Sequence, residues 1–152
     1  MSTMFDYRTI VVGTDGSETA KEAVRQAIEL ARELGATLHV VSAYQPVSSA
    51  RVRGESQQLP GDLQWTVNER EDVEATLEEA AGEASAVGLR AEVYVRQGDP
   101  ADSILDVAEE QGADLIVLGN KGMTGAKRFL LGSVPNKVSH HAPCSVLIIR
   151  TS

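Results

Sequence analysis

Apolar residues along the chain switch between two periodicities, and the switching predicts the elements. Ile10, Val11 and Val12 form a β-branched run that stops at Gly13, and Gly-Thr-Asp-Gly-Ser follows as a dense turn signal. Ala20, Ala23, Val24, Ala27, Ile28, Ala31 and Leu34 then recur at helical spacing as one apolar stripe. Ser17 is placed to cap this helix, Glu18 sits in its first turn where a carboxylate suits the dipole, and Gly35 stands where the helix should stop. Leu38, Val40 and Val41 predict a second strand ending around Ser42 and Ala43.

From Gln45 to about Gln64 the pattern lapses into a long connection carrying Pro46, Gly54, Pro60 and Gly61. A connection of that length in a compact domain is usually functional or mobile. A helix resumes near Val67 and carries Val73, Leu77, Ala80, Ala81, Ala84 and Val87 to Gly88, with its many glutamates on a solvated face. Ala91 to Val95 is a third strand. Asp99 caps a helix with Pro100 at its first position, a stripe of Ile104, Leu105, Val107 and Ala108, and a stop at Gly112. Asp114 to Leu118 reads as a fourth strand, apolar after its first residue as in a sheet covered on both faces. Beyond a glycine-rich loop, Ser133 begins a fourth helix that fades near His140 and His141, and Ser145 to Ile149 is a fifth strand. Five strands alternating with four helices predict an α/β, doubly wound parallel sheet with right-handed crossovers and helices on both faces, one domain over residues 1–152. Ligands on such sheets bind beyond the carboxyl ends of the strands. The residues following strands one, two and four are therefore the ones to interrogate.

Composition narrows this picture. Only 4% of the 152 residues are aromatic, so the core must be aliphatic. A net charge of -8 argues against a general nucleic-acid or anionic-membrane binder, which needs a basic face. One cysteine, Cys144, leaves no internal disulfide and suits a reducing compartment. The N-terminal residues hold no apolar signal region and no run approaches membrane-spanning length, so a cytoplasmic location is expected.

The segment after strand four carries the candidate chemistry. It runs Gly119-Asn120-Lys121-Gly122, nine further residues, then Gly132-Ser133-Val134-Pro135. Gly119 ends a buried strand where the chain must turn, and Gly122 leaves room for backbone N–H groups to face an anion. Gly132-Ser133 opens a helix whose free N–H groups and positive dipole end form a ready anion site. Ser133 can donate to a phosphate oxygen or cap the helix, and Pro135 lies in the first turn, where a missing N–H does no harm. This is neither a P-loop nor the dinucleotide fingerprint, because neither glycine pattern occurs. Charge placement agrees with an anion site. Nine basic residues against twenty-two acidic ones leave the first 118 positions strongly negative, whereas the last 34 hold five basic residues and no acid. Three of those five, Lys121, Lys127 and Arg128, lie inside the loop.

This glycine pattern, together with Val11-Val12-Gly13-Thr14-Asp15-Gly16-Ser17 after strand one and the closing Ala-Pro-Cys-Ser-Val-Leu-Ile-Ile-Arg segment, resembles the universal stress protein family in its nucleotide-binding branch. The likeness extends over essentially the whole chain. It implies strand order 3-2-1-4-5, a Rossmann-like sheet of the adenine nucleotide alpha hydrolase type, and ATP or a related adenine nucleotide between the strand-one loop and the glycine loop. By that resemblance Gly13, Thr14 and Asp15 lie along adenine and ribose, and the backbone of Ala43 meets the adenine edge. Valine is common at that family position, so Ala43 is a mild departure that a backbone contact should survive. Gly119, Asn120, Lys121, Gly122, Gly132, Ser133 and Val134, with Pro135, hold ribose and phosphates. The resemblance also implies magnesium or manganese with a triphosphate, and a homodimer through Val146 to Ile149. An unpaired apolar sheet edge there gives dimerisation an independent motive. Gly-Ser-Val-Pro-Asn and Ser-Ala-Tyr resemble actinobacterial members, some of them similar to proteins that bind cyclic AMP in preference to ATP. AMP and cyclic AMP therefore stand beside ATP as ligands. The implied role is a stress-response sensor or regulator.

Other residues offer less. Asp15 could contact a ligand or simply bond its own backbone in the turn. No general base or water-positioning residue stands beside the phosphates, so slow ATP hydrolysis or phosphoryl transfer is a secondary reading and no catalytic residue is assigned. His140 and His141 point about 100° apart on a helix and make no shared metal site. His39 within its strand reads as packed or half-exposed and Cys144 as a small buried or edge residue, whereas Tyr44 and Trp65 near the long connection fit covering a nucleotide base and ordinary packing equally well.

Overall fold

The computed structural model describes residues 6–44, 70–120 and 133–151. Its elements, in chain order, are β1 (Thr9–Gly13), α1 (Glu18–Leu34), β2 (Thr37–Tyr44), α2 (Arg70–Ala86), β3 (Ala91–Gln97), α3 (Pro100–Gln111), β4 (Leu115–Gly119), α4 (Ser133–His141) and β5 (Ser145–Ile149). The strands form one sheet in the order β3-β2-β1-β4-β5, and every neighbouring pair is parallel. This is the doubly wound architecture expected of the alternating pattern. β1 lies at its centre, with β2 and β4 on either side, so the strand order reverses at the carboxyl end of β1.

Alternation along the strands divides the core in two. Ile10 and Val12 of β1 pack with Leu38, Val40, Val24, Ile28, Val73 and Leu77 on the face covered by α1 and α2. Val11 packs on the other face with Val41, Ile104, Val107, Ile116 and Val138, under α3 and α4. Each fully buried aliphatic side chain contributes roughly 1.5–3 kcal/mol over an exposed one, so the sheet is held from both sides. The fourth strand is buried along Leu115 to Leu118, as its unbroken apolar run requires.

Local signals set the helix ends. Ser17 Oγ accepts from Ala20 N, and Gly35 ends α1 in the left-handed conformation at φ 65°. Asp99 accepts from Asp102 N, Pro100 is at the first position of α3, and Gly112 ends it at φ 64°. Several boundaries differ from the pattern. β2 and β3 run on to Tyr44 and Gln97, because each supplies the other's ladder to its end. α2 is described from Arg70; the expected start near Val67 lies outside the described residues. Leu34 and Val87, assigned to buried stripes, are exposed, because each lies at or past its helix end. Asp114 is not a strand residue. Its Oδ2 accepts from Arg8 N (2.9 Å) and Thr9 N (3.0 Å), so it fastens the entry of β1 against the entry of β4.

Candidate functional site

The turn after β1 is held by four hydrogen bonds. Thr14 N donates to Val41 O (3.0 Å), extending the β1–β2 ladder by one residue. Ser42 Oγ donates to Thr14 O (2.7 Å) in the protein interior. Gly16 N donates to Thr14 Oγ1 (3.1 Å), and Ser17 N to Asp15 Oδ1 (2.9 Å). Gly16 has φ +82°, and a Cβ there would also come within 2.7 Å of Thr76 Oγ1 on α2, so glycine is needed on both counts. The Asp15 carboxylate thus makes the backbone-bonding turn open to it, using one oxygen. Among the described residues the hydrogen bond from Ser17 N to this side chain uses Oδ1 alone.

Gly13 permits a close approach below this turn. A Cβ on it would overlap Ile104 Cδ1 and come within 3.0 Å of Leu118 Cδ2. Next to it a shallow cleft opens to solvent at the carboxyl ends of β1, β2 and β4. Apolar side chains of Val41, Ala43, Pro100, Ile104 and Leu118 wall it, and Thr14 and Asp15 stand at its polar side. Parallel ladders direct both polar backbone groups of a residue to one neighbour, and successive residues to opposite neighbours. Val41 O meets Thr14 N on the β1 side and Tyr44 O meets Gly98 N on the β3 side. Ala43 therefore directs its N–H and C=O toward the β1 side, above the point where the β1 ladder has stopped.

The cleft brings together Gly13, Thr14, Asp15, Ala43, Gly119, Val134 and Pro135 from the sequence-derived set. Ser133 is exposed at the start of α4, whereas Pro135 is buried. Asn120 does not line the cleft: its Oδ1 accepts from both Thr151 N (2.9 Å) and Thr151 Oγ1 (3.1 Å). Lys121, Gly122 and Gly132 lie outside the described residues, as do Lys127, Arg128 and Trp65. Ala20, Val41, Ser42, Pro100, Ile104 and Leu118 also line the cleft and escaped the sequence reading. Strand ends flagged Val41, Ser42 and Leu118 in principle. Pro100 and Ile104 had no signal beyond their place in the first turns of α3.

The remaining candidates are structural. His39 is buried, with Nδ1 2.8 Å from Tyr94 Oη, and burial lowers its pKa while Glu92 opposes that shift. Tyr44 bonds Gln97 Oε1 (3.4 Å), and the Arg70 guanidinium lies 5.8 Å from its ring centroid, so Tyr44 packs rather than lining the cleft. Cys144 is half-buried, and burial raises its thiol pKa, which keeps it protonated and poorly nucleophilic. Lys137, counted among the basic residues of the last segment, is paired with Asp99 (3.3 Å) and Asp102 (3.0 Å) of α3. Among the described residues no group of three or more His, Cys, Asp or Glu could hold a metal ion, and no helix is long and apolar enough to cross a membrane.

A parallel sheet whose strand order reverses beside a partly apolar cleft defines an α/β protein with a Rossmann-like fold. Within that class the chain belongs to the universal stress protein family, whose model matches residues 6–150. It is 36% identical over 151 residues to universal stress protein Rv1636 of Mycobacterium tuberculosis, covering 98% of this chain and 100% of that protein. It is 34% identical over 147 residues to universal stress protein YxiE of Bacillus subtilis, covering 95% and 99%. Among solved structures, a universal stress protein in complex with cAMP superposes with TM-score 0.72 at 32% identity, covering 97% of this chain and 100% of that one. The universal stress protein from Archaeoglobus fulgidus in complex with dAMP superposes with TM-score 0.65 at 29% identity, covering 96% and 100%.

Proposed function

We propose that this chain binds an adenine nucleotide in the cleft at the end of β1 and acts as a regulator whose state follows nucleotide occupancy. One observation carries the reading: a cleft walled by apolar side chains, Ala43 and Ile104 among them, opens beside the Asp15 carboxylate at the end of β1. A flat heteroaromatic base suits the cleft, the Ala43 backbone suits the base edge, and the Asp15 carboxylate suits the hydroxyls of a ribose. The phosphates go to the loop and helix start from Gly119 to Ser133, with Lys121, Gly122, Gly132, Val134 and Pro135 around them and Asn120 holding the chain to Thr151 beside them. Backbone N–H groups and the dipole of α4 supply the anion capture. Magnesium or manganese would accompany a triphosphate and screen its charge. The family structures with cAMP and dAMP support adenine as the base.

ATP is the leading ligand. A second reading, cyclic AMP, is favoured by the 32% identical relative solved with it. Calorimetric titration of ATP, AMP and cyclic AMP, with and without magnesium, separates the two. Nucleotide released on denaturing the purified protein tests occupancy directly. Folded protein that binds none of the three overturns the proposal.

A further inference from the structure

Asp15 is held through the residues on either side of it, and different elements hold the two. Thr14, before it, is tied to β2: its N–H donates to Val41 O and its carbonyl accepts from Ser42 Oγ. Gly16, after it, lies against α2. Thr76 stands so close there that a Cβ on Gly16 would come within 2.7 Å of Oγ1, 3.6 Å of Cγ2 and 3.7 Å of Cβ. Thr76 is not among the residues lining the cleft. It borders a crevice between α1 and α2 that Thr14 also borders, where Lys21 Nζ of α1 meets Glu79 Oε1 of α2 at 3.3 Å. That partly exposed ion pair joins the two helices and contributes little by itself. At the turn, α2 acts through the Thr76 side chain against the Gly16 backbone. A glycine at φ +82° has more conformational freedom than any other residue, so its neighbours must restrain it.

We infer that Thr76 is a positioning residue for the Asp15 carboxylate: by bracing Gly16 from α2 it fixes where that carboxylate stands, and so sets the preference for a ribose that carries its hydroxyls. This rests on the adenine-nucleotide reading of the cleft. A hydroxyl bonded to a carboxylate makes a charge-assisted hydrogen bond whose strength depends on distance and angle. Loosening the brace forfeits part of that bond, which corresponds to a fall of about three- to tenfold in affinity. The apolar wall offered to the base does not include Thr76, so the base's share of the affinity stays unchanged.

The test uses the full chain with Thr76→Ala, which removes the brace and favours the helix, and Thr76→Ser, which keeps the oxygen nearest Gly16. Adenosine and 2′,3′-dideoxyadenosine, which lacks both ribose hydroxyls, are titrated by calorimetry. The expected result is that Thr76→Ala weakens adenosine about three- to tenfold while dideoxyadenosine holds its wild-type affinity, and that Thr76→Ser keeps the wild-type ratio. On an Asp15→Ala background, Thr76→Ala should add little to the adenosine loss. Equal losses for the two nucleosides would mean a merely structural role and overturn the inference. An unchanged adenosine affinity in Thr76→Ala, or a Thr76→Ser variant as impaired as Thr76→Ala, would overturn it too. Wild-type protein that binds neither nucleoside, or binds both equally, overturns the reading of the cleft itself, which is a distinct failure.

Discussion

Ser42 on β2 donates its buried hydroxyl to the carbonyl of Thr14, 2.7 Å away across the end of the β1–β2 ladder. The bond replaces a ladder partner where β1 has turned away. It also holds the residue that precedes Asp15. Ser42→Ala leaves that carbonyl buried without its partner, at a cost of about 1–3 kcal/mol. Urea unfolding should show a lower midpoint with an unchanged slope, and nucleotide affinity should fall with it.

Gly13 packs against the side-chain ends of Ile104 and Leu118, which also wall the cleft. Gly13→Ala must push Ile104 aside, and overpacking of this kind costs about 1–3 kcal/mol. Shortening the opposing side chain should undo part of the damage. The double variant Gly13→Ala/Ile104→Val is expected to recover stability and binding relative to Gly13→Ala alone, measured as thermal midpoint and ATP affinity.

His39 is neutral in the fold because burial lowers its pKa. The unfolded chain takes up its proton near the ordinary value of about 6.5. Its contribution is therefore fully present above that pH. Stability is lost as pH falls below it, until the folded-state pKa is reached. Urea midpoints at pH 7.5 and pH 5.5 should differ in the wild type, and His39→Gln should reduce that difference.

Asp99 caps α3 and also meets Lys137 of α4. Asp99→Ala removes the cap at a cost of about 0.5–2 kcal/mol. Asp102→Ala removes only an exposed ion-pair partner and should cost less than about 1 kcal/mol. Because Pro100 and Val134 of the two helices both line the cleft, Asp99→Ala is also expected to weaken nucleotide binding more than Asp102→Ala.

Leu147 is 39% exposed on β5, an outermost strand of the sheet. Such an apolar edge is a surface for pairing with a second copy. If the homodimer through Val146 to Ile149 is correct, Leu147→Glu should shift sedimentation to monomer while leaving the far-ultraviolet dichroism unchanged. A wild-type monomer at micromolar concentration would sink the dimer.

The succession of strands and helices, and most of their ends, is legible in the order of residues alone. Ser17, Gly35, Asp99, Pro100 and Gly112 act on backbone groups within about four residues, so their effects are legible locally. The order 3-2-1-4-5 came from family resemblance, since spacing alone does not choose neighbours in a sheet. Which residues meet across the sheet is set by three-dimensional packing. It turned Asp114 from a strand residue into the fastening of β1, set Lys137 against two acids of α3, and gave Asn120 to Thr151 instead of the cleft. It also brought Ile104 and Pro100 to the same cleft as Ala43. Each of these contacts joins residues more than thirty positions apart, where the partner is chosen by packing and not by local periodicity.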